Sequence, residues 1–518
     1  MKHLSTETKS NATPKKCGVS LLLTIILLLI AMLSLAACGA GEESDGVLTY
    51  GEIGGELLVT GLKADLDPIT SSNIIIPATY NDKKVAGIYK EAFKDSLWIS
   101  SVVFSSGAVS IGNKAFQGCT SLGSVVLPDT LELISAEAFM GCTNLTYVDM
   151  PALNALGDYA FAACKSLAEI NLPASLKTLG SYVFEGDEKL AAVNAAAGTA
   201  FESADGVLYN ARKTKLVYYP EGRTNSEFTV PATVESIGVS AFQHAQVTSV
   251  TLSQALVAIE GFAFYGSSVL SLIITANVIA IAPSALTANG STRFSVEQGN
   301  TVFTADGDGL LYKDGWKTLV KVPTTISVSV PASVTEIGAY AFYGCVNIGT
   351  VNIPSGVTKI GALAFTTSHI TGVTIPDSVV TLEGYAFSGC TRLQTVTIGS
   401  GLKNIPEAAF INCEALTSVT FSEGLETLGK AAFSLCPSIE SVVLPSTVTR
   451  LDEMVFYPGE KLISVTLLST TPPMLAFSVF SNLNPDFVIT VPAQSVEAYR
   501  TATNWSAFAS RIAAASVA

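Results

Sequence analysis

Nine cysteines and three histidines are the residues of this 518-residue chain best suited to metal, redox or nucleophilic chemistry. Seven of the cysteines, Cys119, Cys142, Cys164, Cys345, Cys390, Cys413 and Cys436, each stand three positions after a phenylalanine. A metal site would need ligands that converge in space, as paired C-x-x-C units or a mixed His and carboxylate shell, and neither spacing occurs. His3 lies near the start, and His244 and His369 are far apart with no third partner in view, so a Ser-His-Asp or Cys-His assembly has no support. The run Asp306-Gly307-Asp308-Gly309 lacks the later ligands of a calcium loop and reads instead as turn chemistry. No catalytic residue, metal or cofactor is therefore expected, and an enzyme is only the third reading of the chain.

The cysteine interval belongs to something larger. Phe93, Phe116, Phe139, Phe161 and Phe184, then Phe242, Phe264 and a Leu286 variant, then Phe342, Phe365, Phe387, Phe410, Phe433 and Phe456 recur at steps of 22 to 24 residues within each group. Such a period is the mark of a solenoid. One unit reads from Leu122 as L-x-x-V-x-L-P-x-x-L-x-x-I-x-x-x-A-F-x-x-C. The alternation at Val125 and Leu127 has the period of a short strand with one buried face, and Pro128 ends it because proline cannot donate to a ladder. Alone, a unit this small cannot bury its apolar residues; stacked, each Phe lies on its copy in the next. Roughly 14 or 15 coils at about 4.8 Å per parallel strand would extend on the order of 70 Å.

Two gaps interrupt the count, 58 residues from Phe184 to Phe242 and 56 from Leu286 to Phe342. The inserts match each other: Phe201, ADGVLY ending at Tyr209 and LVYYP ending at Pro220 recur as Phe303, DGDGLLY ending at Tyr312 and LVKVP ending at Pro323. Asp-Gly between short alternating strands reads as a hairpin. Beyond Phe456 the pattern changes, with Ser495 to Thr501 and Trp505 to Ile512 reading as helical. A solenoid needs a terminal unit to close its core, so Tyr499, Trp505 and Phe508 are expected to pack.

The expected fold is thus an α/β-type repeat solenoid with a parallel sheet on one face, two hairpin-like inserts and a C-terminal cap. Because the cysteines follow the repeat, they are expected as a buried column of thiols, since buried Cys behaves as a small apolar residue. Disulfides between neighbouring rungs are the alternative; the odd number, and the lack of a cysteine in the coil after Cys345, weigh against them.

Four lysines before residue 17 precede the uncharged stretch Val19 to Ala37, which is followed by Cys38. A charged n-region, an apolar h-region and small residues before a cut are the parts of a secretory signal. Leu35-Ala36-Ala37-Cys38 resembles a bacterial lipobox, which implies that the Cys38 thiol is lipidated and becomes the first residue of the mature chain. An uncleaved membrane-spanning anchor is the rival, since about 20 apolar residues can cross a bilayer. Either way the remainder lies outside the cytoplasm. Loss of residues 1–37 takes the net charge from −14 to −17, a surface that repels nucleic-acid phosphates and anionic headgroups.

The units IGxxAFxxCxxLxxVxLPxxL, seen from Ile337 to Pro354 and around Ile360 to Pro376, resemble the BspA-type leucine-rich repeats of bacterial surface proteins across roughly residues 50 to 512. The resemblance implies a lipid-anchored, surface-displayed binder of proteins, with adhesion to host or neighbouring-cell proteins as the expected role. A periplasmic or envelope scaffold without a host ligand is the alternative. The organisation expected is a signal peptide at 1–37, a tether at 38–49, repeats at 50–186, 231–289 and 331–470, inserts at 187–230 and 290–330, and a cap at 471–518.

If Val125 and Leu127 point inward, the alternate strand positions point out. Read along the array, the outward pairs are Ser101/Val103, Tyr147/Asp149, Glu169/Asn171, Ser249/Thr251 and Leu272/Ile274, then a run dominated by Ser and Thr from Thr350/Asn352 to Ser464/Thr466. Thr on an exposed sheet is foremost a good strand residue. Tyr147, Asp149, Glu169 and Asn171 are the candidate ligand-binding residues, because an aromatic beside hydrogen-bonding groups is what interface hot spots contain. A sugar face would need several aromatic platforms and this one offers Tyr147 alone, so a protein ligand is expected.

Overall fold

The computed structural model describes residues 47–63, 72–287, 292–324 and 329–515. Cys38 and the stretch before it lie outside the described residues. The chain winds as a solenoid of about 18 turns, more than the 14 or 15 counted from the phenylalanines, because the inserts and the C-terminal segment also contribute turns.

Each coil has three sides. On the first, three- or four-residue strands pair in parallel and in register: Ser101–Phe104 with Ser124–Val126, and these with Tyr147–Asp149. Their inward residues, Val102, Val125 and Val148, are buried to 5% exposure or less. On the second, two-residue strands such as Ser110–Ile111, Leu133–Ile134, Ala155–Leu156 and Thr178–Leu179 form another parallel ladder, which the sequence reading did not separate from the first. The third side carries Ala-Phe. It is a run of turns, yet its backbone also bonds from coil to coil: Phe116 N–H donates to Ala138 O at 2.7 Å, and Phe139 N–H to Ala160 O at 2.8 Å. Every side therefore satisfies its polar backbone groups on the neighbouring coil, which lets so narrow a fold bury them.

Inside, the phenylalanines stack as the spacing requires. From Phe93 to Phe161 the ring centroids are 5.0 to 5.2 Å apart and nearly parallel. From Phe342 to Phe433 they are 4.5 to 5.1 Å apart, and the column runs on through Phe456 to Phe480. Burying one such side chain contributes about 2 to 3 kcal/mol. The sharp turn around each ring needs left-handed backbone on both flanks. Two residues before the ring, Lys114, Glu137, Tyr159 and Tyr182 all have φ near +57°; two residues after it, glycine takes the position at Gly118, Gly141, Gly186, Gly266, Gly344 and Gly389.

Both inserts are antiparallel three-stranded units: Phe201–Ala204, Val207–Asn210 and Lys215–Tyr218, and Phe303–Ala305, Leu311–Lys313 and Thr318–Lys321. Asp205 and Gly206, with φ of 50° and 73°, make the first turn with two left-handed residues, the geometry Asp-Gly favours. In each insert the third strand pairs in parallel with the first short strand of the next array. The N-terminal hairpin, Leu48–Ile53 with Glu56–Leu62, likewise hands over to a parallel strand, Lys83–Ile88. Each hairpin thus starts a new short-strand ladder, and the buried residues fall into three separate clusters rather than one.

At the C-terminus an α-helix, Val496–Thr501, and a 3-10 helix, Trp505–Arg511, lead into a last parallel strand, Ile512–Ala514. Trp505 and Tyr499 are fully buried against the end of the phenylalanine column, and their polar atoms donate to Pro473 O and Ser469 O.

Candidate functional site

The outward positions of the long-strand ladder are set by the pleat, so most of the sequence-derived face is where the alternation places it. Asp149, Glu169 and Asn171 are exposed and Tyr147 is half-buried. Burial raises the Tyr147 hydroxyl above its ordinary pKa, and the charge of Asp149 two residues along the same face adds to it. The four do not share one sheet, however. The hydrogen-bonded ladder from Asn73–Ile76 ends at Tyr147–Asp149, and Glu169–Leu172 begins another with Ala192–Ala195. There Asn194 Nδ2 donates to Asn171 Oδ1 at 3.0 Å, so Asn194 extends the polar patch by one rung. Its place 23 residues after Asn171 was a usable signal, hidden because the phenylalanine count stops at Phe184.

One pair was assigned to the wrong face. Leu272 and Ile274 are buried at 1% and 0% exposure, and Ser271 and Ile273 point outward instead. The segment from Phe264 to Val269 is one residue shorter than the usual one, and a one-residue slip exchanges the faces of a strand. Ser249/Thr251, Thr395/Thr397 and Ser418/Thr420 are exposed as expected, whereas Ser464 and Thr466 are half-buried.

The cysteines have a role that spacing alone did not reveal. Cys119, Cys142, Cys164, Cys390, Cys413 and Cys436 each donate Sγ–H to the carbonyl of the phenylalanine one coil back, at 3.1 to 3.3 Å. All seven repeat cysteines are buried as free thiols. Burial pushes the Cys119 and Cys390 thiols up to about 12 and Cys345 to about 11, so they are poor nucleophiles at neutral pH. Asp306, the other chemical candidate, accepts from the backbone N–H of Asp308 and Leu310 and from the Tyr312 hydroxyl, which leaves it engaged by its own loop. His244 lies edge-on to Tyr265 at 5.6 Å. Among the described residues no group of three or more His, Cys, Asp or Glu is placed to hold a metal, and no helix is long and apolar enough to cross a membrane.

A family model, the BspA type leucine rich repeat region, matches residues 86–203, 219–305, 321–415 and 393–494. Among solved structures, a leucine rich cell surface protein from Faecalibacterium prausnitzii is 22% identical, over 83% of this chain and 96% of that one, with a TM-score of 0.39. A leucine-rich repeat protein from Eubacterium ventriosum is 19% identical over 85% and 93%, at 0.42. The pneumococcal vaccine antigen PcpA is 17% identical over 83% and 94%, at 0.39. Among curated proteins none matches.

Proposed function

Because this chain belongs to the BspA-type leucine-rich repeat family, we propose that it works by display, holding the outer face of its long-strand ladder toward protein ligands. The observation that carries this reading is that face itself. Strands in register within two successive ladders turn side chains outward, and around Tyr147, Asp149, Glu169 and Asn171, now with Asn194, those side chains become individual rather than repetitive. In this reading the chain is exported, lipid-anchored through Cys38 and exposed at the cell surface, where it adheres to host or neighbouring-cell proteins. The signal-like N-terminus and the acidic composition support it.

Protease shaving of intact producing cells tests exposure, with an antibody to the repeats and a periplasmic protein as the uncut control. Loss of the repeats from intact cells is expected. Repeats that survive on intact cells and vanish on lysis would replace adhesion with a periplasmic scaffold. Once a ligand is in hand, alanine at Tyr147, Asp149, Glu169 and Asn171 together should weaken it at least ten-fold; unchanged affinity would remove this patch from the proposal.

A further inference from the structure

Where the first array meets its insert, the fold forms a cleft-like cavity of about 260 Å³, open to solvent on one side, between the coil of Phe184 and the coil of Phe242. Its polar side chains include Glu185, Glu221, Lys215, Tyr218, Ser240 and Gln243. Glu221, 5% exposed, accepts from Gly186 N–H and forms no ion pair among the described residues. Glu185 accepts from the Gln243 amide at 2.5 Å, while Gln243 Oε1 and Ser240 Oγ, on residues 5% and 8% exposed, are buried without a hydrogen-bond partner. Fully buried Asp187, next to the lining, accepts from Cys164 N–H, and burial and the charge of Glu221 both raise its pKa. Lys215, itself in the lining, is paired with Glu260, and of the cations close by Lys165 is paired with Glu188 and Arg223 with Asp205. A desolvated carboxylate with no counter-charge is costly, and a cation is what would relieve it.

The chain holds a cation at its own second junction. LVYYP of the first insert corresponds to LVKVP of the second, which sets Tyr218 against Lys321. Lys321 is 2% exposed, and its ammonium donates to the carbonyls of Tyr340 and Tyr343, both at 3.3 Å. Those two residues flank Phe342 as Ser240 and Gln243 flank Phe242. At the first junction Tyr218 turns the other way, donating to Phe184 O, and the acids Glu185 and Glu221 stand where the second junction has Thr287 and Thr324. One junction brings its own ammonium; the other brings buried carboxylates.

We propose that the first-junction cavity binds a protonated amine or guanidinium group through Glu221 and Glu185. With no cluster among the described residues suited to a metal, and a cavity walled also by Leu179, Val217 and Phe184, the ligand is an organic cation with an alkyl stem, free in solution or borne on a lysine or arginine side chain.

The test is isothermal titration calorimetry at pH 8 and low salt on the full-length chain in mild detergent. The probes are cadaverine, a short capped peptide with a central lysine, and 1,5-pentanediol as the uncharged match in length. Saturable binding of cadaverine is expected, at least ten-fold tighter than the diol and at least ten-fold weaker in Glu221→Gln. Tyr218→Lys, which installs the ammonium of the second junction, should reduce it as well. Equal binding of diol and diamine, or wild-type affinity in Glu221→Gln with an unchanged unfolding midpoint, overturns the proposal. Should Glu221→Gln fail to fold, Glu185→Gln gives the same reading. Tighter binding of the peptide than of cadaverine identifies a partner's side chain as the source, and the reverse a small free amine. The proposal does not depend on surface display, and shaving results leave it untouched.

Discussion

Replacing Phe387 by alanine should cost about 5 kcal/mol locally, while the same change at Phe456 should cost about 3. Phe387 is fully buried and lies between Phe365 at 4.8 Å and Phe410 at 5.0 Å, with ring planes within 7° and 3° of parallel. Truncating a buried Phe costs about 3 to 5 kcal/mol, and two close stacked contacts, each worth about 0.5 to 1.5, place Phe387 at the top of that range. Phe456 has its neighbours at 5.9 and 6.2 Å, so less is lost there. Repeat arrays open piecewise, which makes native-state hydrogen exchange the fitting assay. The reporters are the amides that bridge coils, Phe387 N–H to Ala409 O at 2.8 Å and Phe365 N–H to Ala386 O at 2.7 Å, with Phe116 N–H to Ala138 O as the distant reference. Protection at the first two should fall by about three and a half decades in Phe387→Ala, at about 1.4 kcal/mol per decade, and stay unchanged at the third. A fall of less than ten-fold, an equal cost at Phe456, or a matching loss at Phe116 would each refute the column of stacked rings as the local source of stability.

Gly361→Ala should destabilise by about 3 kcal/mol, because its Cβ would lie 2.5 Å from Ala339 N in the coil behind; Gly344→Ala, with φ of +69° and open space, should lose only about 1, and equal urea midpoints would contradict this. Burial drives the Lys321 amine from an ordinary 10.5 to about 8, so between those values the unfolded chain binds more protons and stability rises with pH. Wild type should therefore gain on Lys321→Met as pH climbs through that window, and parallel curves would show that the amine is not desolvated. Maleimide at pH 7 should leave the seven repeat cysteines unlabelled in the folded chain and label all seven after unfolding without reductant, read by mass; label missing in pairs would mean disulfides.

The solenoid was legible because its period is written in large, invariant-sized units: a Phe every 22 to 24 residues leaves no other way to bury the rings. The second ladder was not, since two-residue strands such as Ser110–Ile111 are too short to show alternation. The outward face could be read wherever the Phe-to-strand distance is constant, and it failed at Leu272 and Ile274, where a single missing residue inverts the pleat. Cysteine after seven of the rings looked like generic small apolar filling; its bond to the carbonyl one coil back depends on stacking that no single repeat contains. The acidic cavity was out of reach for the same reason, as Glu185, Glu221 and Gln243 meet only because the first insert folds back between two arrays.

The three separate cores have a mechanical consequence. A chain gripped at its two ends and drawn apart would feel the load pass through hairpin seams where one core ends and another begins, since the buried clusters of the arrays share no residue. Within an array each peeled coil of about 23 residues would release roughly 80 Å of slack. The seams at Phe201–Tyr218 and Phe303–Lys321, where antiparallel strands begin each new ladder, would divide that extension into three successive springs.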